Sequence, residues 1–196
     1  TGKSIPAQGE SSSITVKLNG ADLSGVSIYA GGNLAPAKNA TVELIAGNAG
    51  TVYGGGNAAP APATQVYIWG GTINEVFAGG NGKGAGNPGA DVGFKEDHTT
   101  TYGAGTTDAY IYSGVIGGVF GGSNTKGNIR VSSNVHLDDK SADTGCTFSV
   151  GEIYGAGNEA FMVGDSRIDL GCVPRLKVLY GGAKNADMGG NIELNI

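Results

Sequence analysis

The chain has 196 residues, and 38 of them are glycine. Its hydrophobic content is 39% and its formal net charge is −5. The glycines follow no Gly-X-Y period, which excludes a collagen helix, and the hydrophobic content suffices for a core, which excludes a disordered glycine-rich tract. The 12 lysines and arginines are scattered, which excludes a basic surface for nucleic acid, and no apolar run of about 18 residues is present to span a membrane.

From the N-terminal end onward, seven short segments alternate apolar and polar residues. Strict alternation predicts a β-strand with one buried face. The apolar pairs of the seven segments are Val16/Leu18, Val42/Leu44, Val66/Ile68, Ala109/Ile111, Ile129/Val131, Ile168/Leu170 and Ile192/Leu194. We predict that all seven pairs face one interior.

A second, glycine-rich segment follows the first six of these strands. Its copies occupy Ser27–Asn33, Thr51–Asn57, Glu75–Asn81, Gly118–Asn124, Glu152–Asn158 and Val178–Asn185. The copy TVYGGGN at Thr51–Asn57 has the glycines of a phosphate loop, but such a loop needs a helix directly after them. Six copies favour a repeated structural corner instead.

The spacing of these segments predicts the fold. Val42 and Val66 are 24 residues apart, as are Ile168 and Ile192. A repeat of this length, with two strands, a Gly/Asn corner and no helical period, is typical of one coil of a parallel β-helix. We predict an all-β, single-domain β-helix of about seven coils over residues 14–196, right-handed because parallel crossovers usually are. Loop insertions are expected at about 82–106 and 134–145, and residues 1–13 are expected to be flexible.

Equivalent positions of successive coils stack in a β-helix, so the corners predict two columns. One is a ladder of hydrogen-bonded side-chain amides, formed by Asn33, Asn57, Asn81, Asn124 and Asn158 and extended by Asn185. The other is a column of packed rings, formed by Tyr29, Tyr53, Phe77, Phe120, Tyr154 and Tyr180. Both columns are interpreted as structural rather than ligand-binding.

The outward strand positions predict a surface cluster that we call the aromatic strip. It consists of Tyr67, Trp69, Tyr110 and Tyr112 on neighbouring coils. Exposed rings in a row suit the apolar faces of sugars and predict a glycan-binding platform. In the alternative interpretation, the insertion at 82–106 folds over the cluster and buries it.

Charged and cysteine positions make further pairs across the coils. The outward column places Lys17 beside Glu43 and Arg130 beside Asp169, which predicts two ion pairs. Cys146 and Cys172 each precede the corner ring of their coil by eight residues, so they share one register. Neighbouring strands lie about 4.8 Å apart, within the Cα separation that a disulfide spans, so we expect a disulfide in an oxidising compartment.

Candidate catalytic groups are sparse. Two polar clusters, at 95–98 and 138–140, fall in the predicted insertions and are explained by solvated loops. Paired carboxylates do not recur at one register on neighbouring coils, and no nucleophile triad stands out. We therefore predict no catalytic residue, no metal and no cofactor.

The unit VYIWGGTINEVFAGGN at Val66–Asn81 resembles the glycine-rich repeats of large bacterial surface proteins, especially those of gut anaerobes. The resemblance covers about residues 14–196 and implies an adhesin-like parallel β-helix that is secreted or attached to the cell surface. It implies a non-catalytic stalk or adhesive module whose partners are glycans or host surface proteins. The alternative is a polysaccharide lyase or hydrolase that uses the aromatic strip. Because the sequence ends on the strand NIELNI with no polar cap, further coils or domains of a larger protein are also expected.

Overall fold

The computed structural model of the protein describes residues 13–82, 89–95, 99–101, 105–130, 132–139, 146, 148–172 and 175–196. Residues 1–12 of the predicted flexible segment lie outside this set. The described residues form eleven strands and no helix. The strands are β1 (Ser13–Tyr29), β2 (Asn39–Tyr53), β3 (Ala63–Ile68), β4 (Thr72–Phe77), β5 (Thr106–Ile111), β6 (Val115–Phe120), β7 (Ser132–Leu137), β8 (Ser149–Tyr154), β9 (Asp165–Leu170), β10 (Arg175–Tyr180) and β11 (Ile192–Asn195).

These strands stack in parallel along two faces of a coil. The first half of β2 pairs with β3 and its second half pairs with β4. From there β3, β5, β7, β9 and β11 stack on what we call the odd face, and β4, β6, β8 and β10 stack on the even face. β1 pairs with β2 along most of its length. Every pairing between these strands is parallel, which confirms the predicted β-helix.

A third side closes the coils through single bridges rather than long strands. Ala61, Val92, Ile129, Met162 and Met188 follow one another in parallel bridges along this side. Val92, Ile129 and Met162 are completely buried and form a cluster of their own. The third side therefore adds apolar contacts between coils without a continuous ladder.

Glycines with a positive φ turn the chain from the odd face to the even face. Gly47, Gly71 and Gly114 occupy equivalent turns, with φ angles of 110°, 101° and 121°. Side chains other than glycine rarely adopt these angles, because the Cβ atom collides with the backbone. The high glycine content is thus explained in part by this turn, which requires glycine in three successive coils.

One predicted strand is wrong. The sequence placed Ile129 and Val131 in the interior of the odd face, but β7 supplies Val135 and Leu137 instead, and these pair with β5 and β9. Ile129 lies on the third side, and Val131 lies outside the described residues. Both segments alternate apolar and polar residues, and only pairing with the neighbouring coils distinguishes them.

The insertions also differ from their predicted extents. Residues 134–137 belong to β7 rather than to a loop, so the predicted insertion at 134–145 is wrong in its first part. Within 82–106, Val92 bridges Ala61 and Ile129, because its N–H donates to the carbonyl of Asn128 at 2.9 Å. Part of that predicted loop therefore forms the third side of a coil.

The last described coil is shifted by two residues from its predicted register. Leu194, rather than Ile192, lies beside Ile168, and Ile192 lies beside Ser166. Strands of the odd face have three inward positions rather than two, and the first of them carries a hydroxyl side chain in the preceding coils. Ile192 takes this first position in the last described coil. In the preceding coils it is occupied by Thr64, Thr107, Ser133 and Ser166.

This inward hydroxyl column predicts opposite effects of two conservative substitutions. Ser133 Oγ donates to the carbonyl of Gly155 at 2.7 Å, whereas Thr107 Oγ1 is buried without a hydrogen-bond partner. An unpartnered buried hydroxyl destabilises the folded state, and an apolar group of the same shape removes that cost. We expect Thr107→Val to raise the free energy of unfolding by about 1 kcal/mol and Ser133→Ala to lower it by about 1 kcal/mol. Urea denaturation of both variants tests this, and a loss of stability in Thr107→Val would contradict it.

Candidate functional site

The corner asparagines form a continuous ladder in one direction. Each side-chain Nδ2 donates to the Oδ1 of the asparagine one coil earlier, at 2.8 to 3.0 Å from Asn57 to Asn185. Asn81 and Asn124 also donate to the hydroxyls of Tyr29 and Tyr53, at 3.0 and 3.1 Å. These amide groups are occupied by the fold itself, so the ladder is structural.

The ring column lies beside the amide ladder. Successive rings from Tyr29 to Tyr180 are stacked, with centroids 4.5 to 5.2 Å apart. Phe77 and Phe120 are completely buried, and burial raises the pKa of Tyr53 to about 12. Buried rings that are stacked on both sides, as Phe77 and Phe120 are, contribute packing energy and have no free face for a ligand.

The glycines of the TVYGGGN corner do not form an anion site. The N–H groups of Gly54 and Gly55 donate to the carbonyls of Phe77 and Gly79, each at 2.9 Å. A phosphate loop needs such N–H groups free to point at the ligand. In this corner both N–H groups are already engaged in hydrogen bonds with the next coil.

The aromatic strip is assembled on the odd face, where β3 and β5 are neighbours. Tyr67 stacks on Tyr110 with centroids 4.9 Å apart and planes at 7°, and Trp69 lies on Tyr112 at 4.3 Å and 32°. Tyr110 and Tyr112 are 6.4 Å apart, which joins the two ring pairs. The four predicted residues therefore form one contiguous cluster.

The aromatic strip is most exposed to solvent at Trp69. Trp69 is 41% exposed, whereas the three tyrosines are only partly exposed. The described part of the insertion around Val92 lies on the third side of the coil, away from the strip. Because Tyr67 and Tyr110 cover each other's faces, their outward surfaces are ring edges and hydroxyls, and Trp69 presents the larger aromatic surface.

A carboxylate borders the strip on the preceding coil. Glu43 Oε2 is 2.7 Å from Lys17 Nζ, which confirms the predicted ion pair. The hydrogen bond from Lys17 lowers the pKa of Glu43, and a hydrogen bond from the Trp69 side chain adds to this effect. Burial is the main reason that the pKa values of Tyr67 and Tyr110 are raised.

At its other end, the strip continues into a polar cluster that the sequence did not predict. The imidazole of His136 stacks on Tyr110 with centroids 4.8 Å apart, and its Nδ1 lies 3.1 Å from Asp169 Oδ2. The sequence pattern predicted Arg130 in this position, because the alternating segment around Ile129 was interpreted as the strand of this coil. The predicted Arg130–Asp169 pair is replaced by Arg167, whose Nε donates to both Asp169 oxygens at 3.0 and 2.9 Å.

The Asp169 carboxylate is held by three side chains. Asn195 Nδ2 donates to Oδ1 at 2.6 Å, in addition to the contacts of Arg167 and His136. Burial acts to raise the pKa of Asp169, but the hydrogen bonds from Arg167 and Asn195 outweigh it and lower the pKa. The cluster borders a depression of about 340 Å³ that is lined by Tyr110, Tyr112, His136, Leu137, Asp138, Asp169 and Gly171.

Cys146 and Cys172 form a disulfide, with their Cα atoms 5.4 Å apart. Both cysteines pack against the main hydrophobic core. Within the described part of the chain, no three His, Cys, Asp or Glu side chains are grouped so that they could hold a metal ion. Glu96–His98, part of one predicted polar cluster, lie outside the described residues.

Comparison with family models, curated proteins and solved structures finds no match for this chain. Across the residues that the structure describes, no helix has the length and apolar character that a membrane span requires.

Proposed function

We propose that the protein is a non-catalytic module of a secreted or surface-attached bacterial protein, and that its aromatic strip contacts glycans or glycosylated host surface proteins. The observation that carries this proposal is the exposure of Trp69. Although its ring packs on Tyr112, 41% of Trp69 remains accessible, and Ile45 on the preceding coil is 40% exposed. Contiguous exposed apolar surface of this kind marks interaction sites on soluble proteins.

The chemistry around Trp69 fits a sugar. The indole offers an apolar surface to the C–H face of a pyranose ring, and the adjacent tyrosines can donate and accept hydrogen bonds through their hydroxyls. Glu43, held in its charged form by Lys17, adds an acceptor for sugar hydroxyls at the edge of the strip. Apolar surface with a few polar groups is the usual composition of a small-molecule site.

An extracellular location is part of the same proposal. The Cys146–Cys172 disulfide supports it, because disulfides persist mainly in oxidising compartments. The parallel stacking of successive coils supports a stalk-like role, because arrays of this kind extend in one direction.

A glycan-array screen followed by titration of the best ligand tests the proposal. We expect Trp69→Ala to weaken binding about tenfold or more, because a central aromatic anchor typically dominates an interface. Phe161→Ala is the matched control, since Phe161 is 46% exposed and lies beside Met162 of the third side, away from the strip. Equal binding by wild type and Trp69→Ala would contradict the proposal.

The fluorescence of Trp69 gives an independent measurement. It is the only tryptophan in the chain, so its emission reports the strip alone. We expect acrylamide to quench this emission in the free protein and a bound glycan to reduce the quenching. Emission that is protected from acrylamide without a ligand would support the alternative of a covered strip.

The second candidate function, a polysaccharide lyase or hydrolase, is favoured by the pairing of His136 with Asp169 beside Tyr110. An imidazole whose Nδ1–H is held by a carboxylate leaves Nε2 to act as a base. Under this hypothesis His136→Gln abolishes turnover of a polysaccharide that the wild type cleaves. A wild type that binds glycans and cleaves none would leave the non-catalytic proposal in place.

A further inference from the structure

We infer that the even face carries a second ligand site, a groove that binds an anionic polysaccharide chain. The groove has a volume of about 570 Å³ and crosses β4, β6, β8 and β10. The aromatic strip lies on the odd face, so this inference goes beyond the proposed function and does not depend on it.

Two rows of outward positions line the groove. One row consists of Thr72, Val115, Ser149 and Arg175, and the other consists of Asn74, Gly117, Gly151 and Lys177. Four strands spaced by about 4.8 Å give the groove a length of about 14 Å along the axis of the coils. The second row has no side chains between Asn74 and Lys177, which produces the depression.

The two glycines are required by the packing of the coils. A Cβ atom at Gly117 would collide with the carbonyl oxygen of Asn74, and one at Gly151 would collide with the carbonyl oxygen of Gly117. The shape of the groove therefore follows from the fold. The charges at its end are what indicate a ligand.

Arg175 and Lys177 lie together at the β10 end of the groove. Both are exposed, and in the described part of the chain neither forms an ion pair. Two other lysines in the described part of the chain do form ion pairs, Lys17 with Glu43 at 2.7 Å and Lys184 with Glu152 at 2.6 Å. An unpaired guanidinium and ammonium side by side form a site for a carboxylate or sulfate, which arginine binds in a bidentate manner.

Nearby acids do not cancel this positive charge. Glu152 follows Gly151 in β8, and its Oε1 lies 2.6 Å from Lys184 Nζ. Glu75 in β4 also interacts with Lys184. Neither carboxylate lines the groove.

The remaining lining favours a glycan over other anionic polymers. Thr72, Asn74 and Ser149 offer hydroxyl and amide groups that can bond sugar hydroxyls. A peptide added along the groove as a strand would need free main-chain groups there, but β4, β6 and β8 are each paired on both sides, and β10, which has one described neighbour, lies at the end of the groove. Nucleic acid is disfavoured because its affinity depends on the neutralisation of many phosphates, whereas Arg175 and Lys177 are the two cations that line the groove.

Calorimetric titration with defined oligomers tests this inference. The probes are an oligogalacturonate, a heparin-derived oligosaccharide, a neutral oligogalactose and an oligoglutamate of equal charge. We expect at least one of the two anionic glycans to bind, with an affinity that falls as salt is added, and the stronger of them identifies carboxylate or sulfate as the preferred group. The neutral oligomer should bind at least about tenfold more weakly.

Substitutions in the groove test whether the anionic glycan binds there. The double variant Arg175→Ala, Lys177→Ala should weaken the anionic glycan about tenfold or more, and Val115→Glu, at a 58% exposed position in the groove, should do the same. Lys38→Ala controls for loss of positive charge elsewhere and should retain wild-type affinity. All of these titrations are carried out in the Trp69→Ala background, so that glycan binding to the aromatic strip does not contribute.

Three results would overturn the inference. One is that neither anionic glycan binds, and another is that the double variant binds as the wild type does. The third is that oligoglutamate binds as tightly as the glycans with the same dependence on Arg175 and Lys177, which would assign the groove to an acidic peptide.

Discussion

Replacing Phe77 with alanine is expected to lower the free energy of unfolding by about 3–5 kcal/mol. Phe77 is completely buried, and its ring is stacked between those of Tyr53 and Phe120 at centroid distances of 5.2 and 4.5 Å. Alanine removes the apolar surface of the ring, leaves a cavity and breaks two aromatic contacts. Urea denaturation followed by circular dichroism measures the change.

Tyr180 is the matched control for this prediction. It belongs to the same column but is 55% exposed and stacks on a single described ring, that of Tyr154. We expect Tyr180→Ala to lower the free energy of unfolding by about 1 kcal/mol, because little buried surface is lost. If Phe77→Ala and Tyr180→Ala cost the same, the ring column does not stabilise the coils through burial.

Replacing Asn81 with alanine is expected to destabilise the protein by about 2–4 kcal/mol. The Asn81 amide donates to Asn57 at 2.9 Å and to the hydroxyl of Tyr29 at 3.0 Å, and it accepts from Asn124 at 3.0 Å. Its removal breaks all three bonds and leaves Asn57 Oδ1 without its donor in a partly buried site. Linked hydrogen bonds also strengthen one another, so the loss extends beyond one pair.

Asn33 gives the comparison within the same ladder. It is exposed and its side chain accepts one ladder bond, from Asn57 at 2.8 Å. We expect Asn33→Ala to cost about 0.5–1.5 kcal/mol. Denaturation midpoints of Asn81→Ala and Asn33→Ala, measured with equal m-values, test the difference, and a smaller effect at Asn81 would show that the ladder is not cooperative.

The columns of the corners could be predicted from the sequence because each corner carries its own signature. Glycines fix the turn, and the aromatic residue and Asn81 or its equivalents hold the same offset from it. Once the repeat is recognised, stacking follows from the parallel spacing of about 4.8 Å. The aromatic strip was predictable for the same reason, since β3 and β5 are in the register that the alternating residues indicate.

The polar end of the strip was not predictable in this way. His136 lies in a segment that reads as a loop when Ile129 is taken as the interior residue, and both segments satisfy the alternation rule. The choice between them depends on the β5 and β9 strands that flank the coil. Those strands are distant in sequence, so the contact of His136 with Asp169 could not be inferred from local pattern.

The fold class, the corners and the inward face of most strands follow from the local sequence pattern, because hydrophobic alternation and glycine turns act over a few residues. Contacts between coils fixed the rest: the segment that forms the fifth coil, the acid that pairs with Lys184, and the two cations of the groove beside Gly117 and Gly151 that form no ion pair in the described part of the chain. The physical reason is that these outcomes depend on the lengths of the connections between coils. A shift of a few residues in one coil changes every cross-coil neighbour while leaving the local pattern intact.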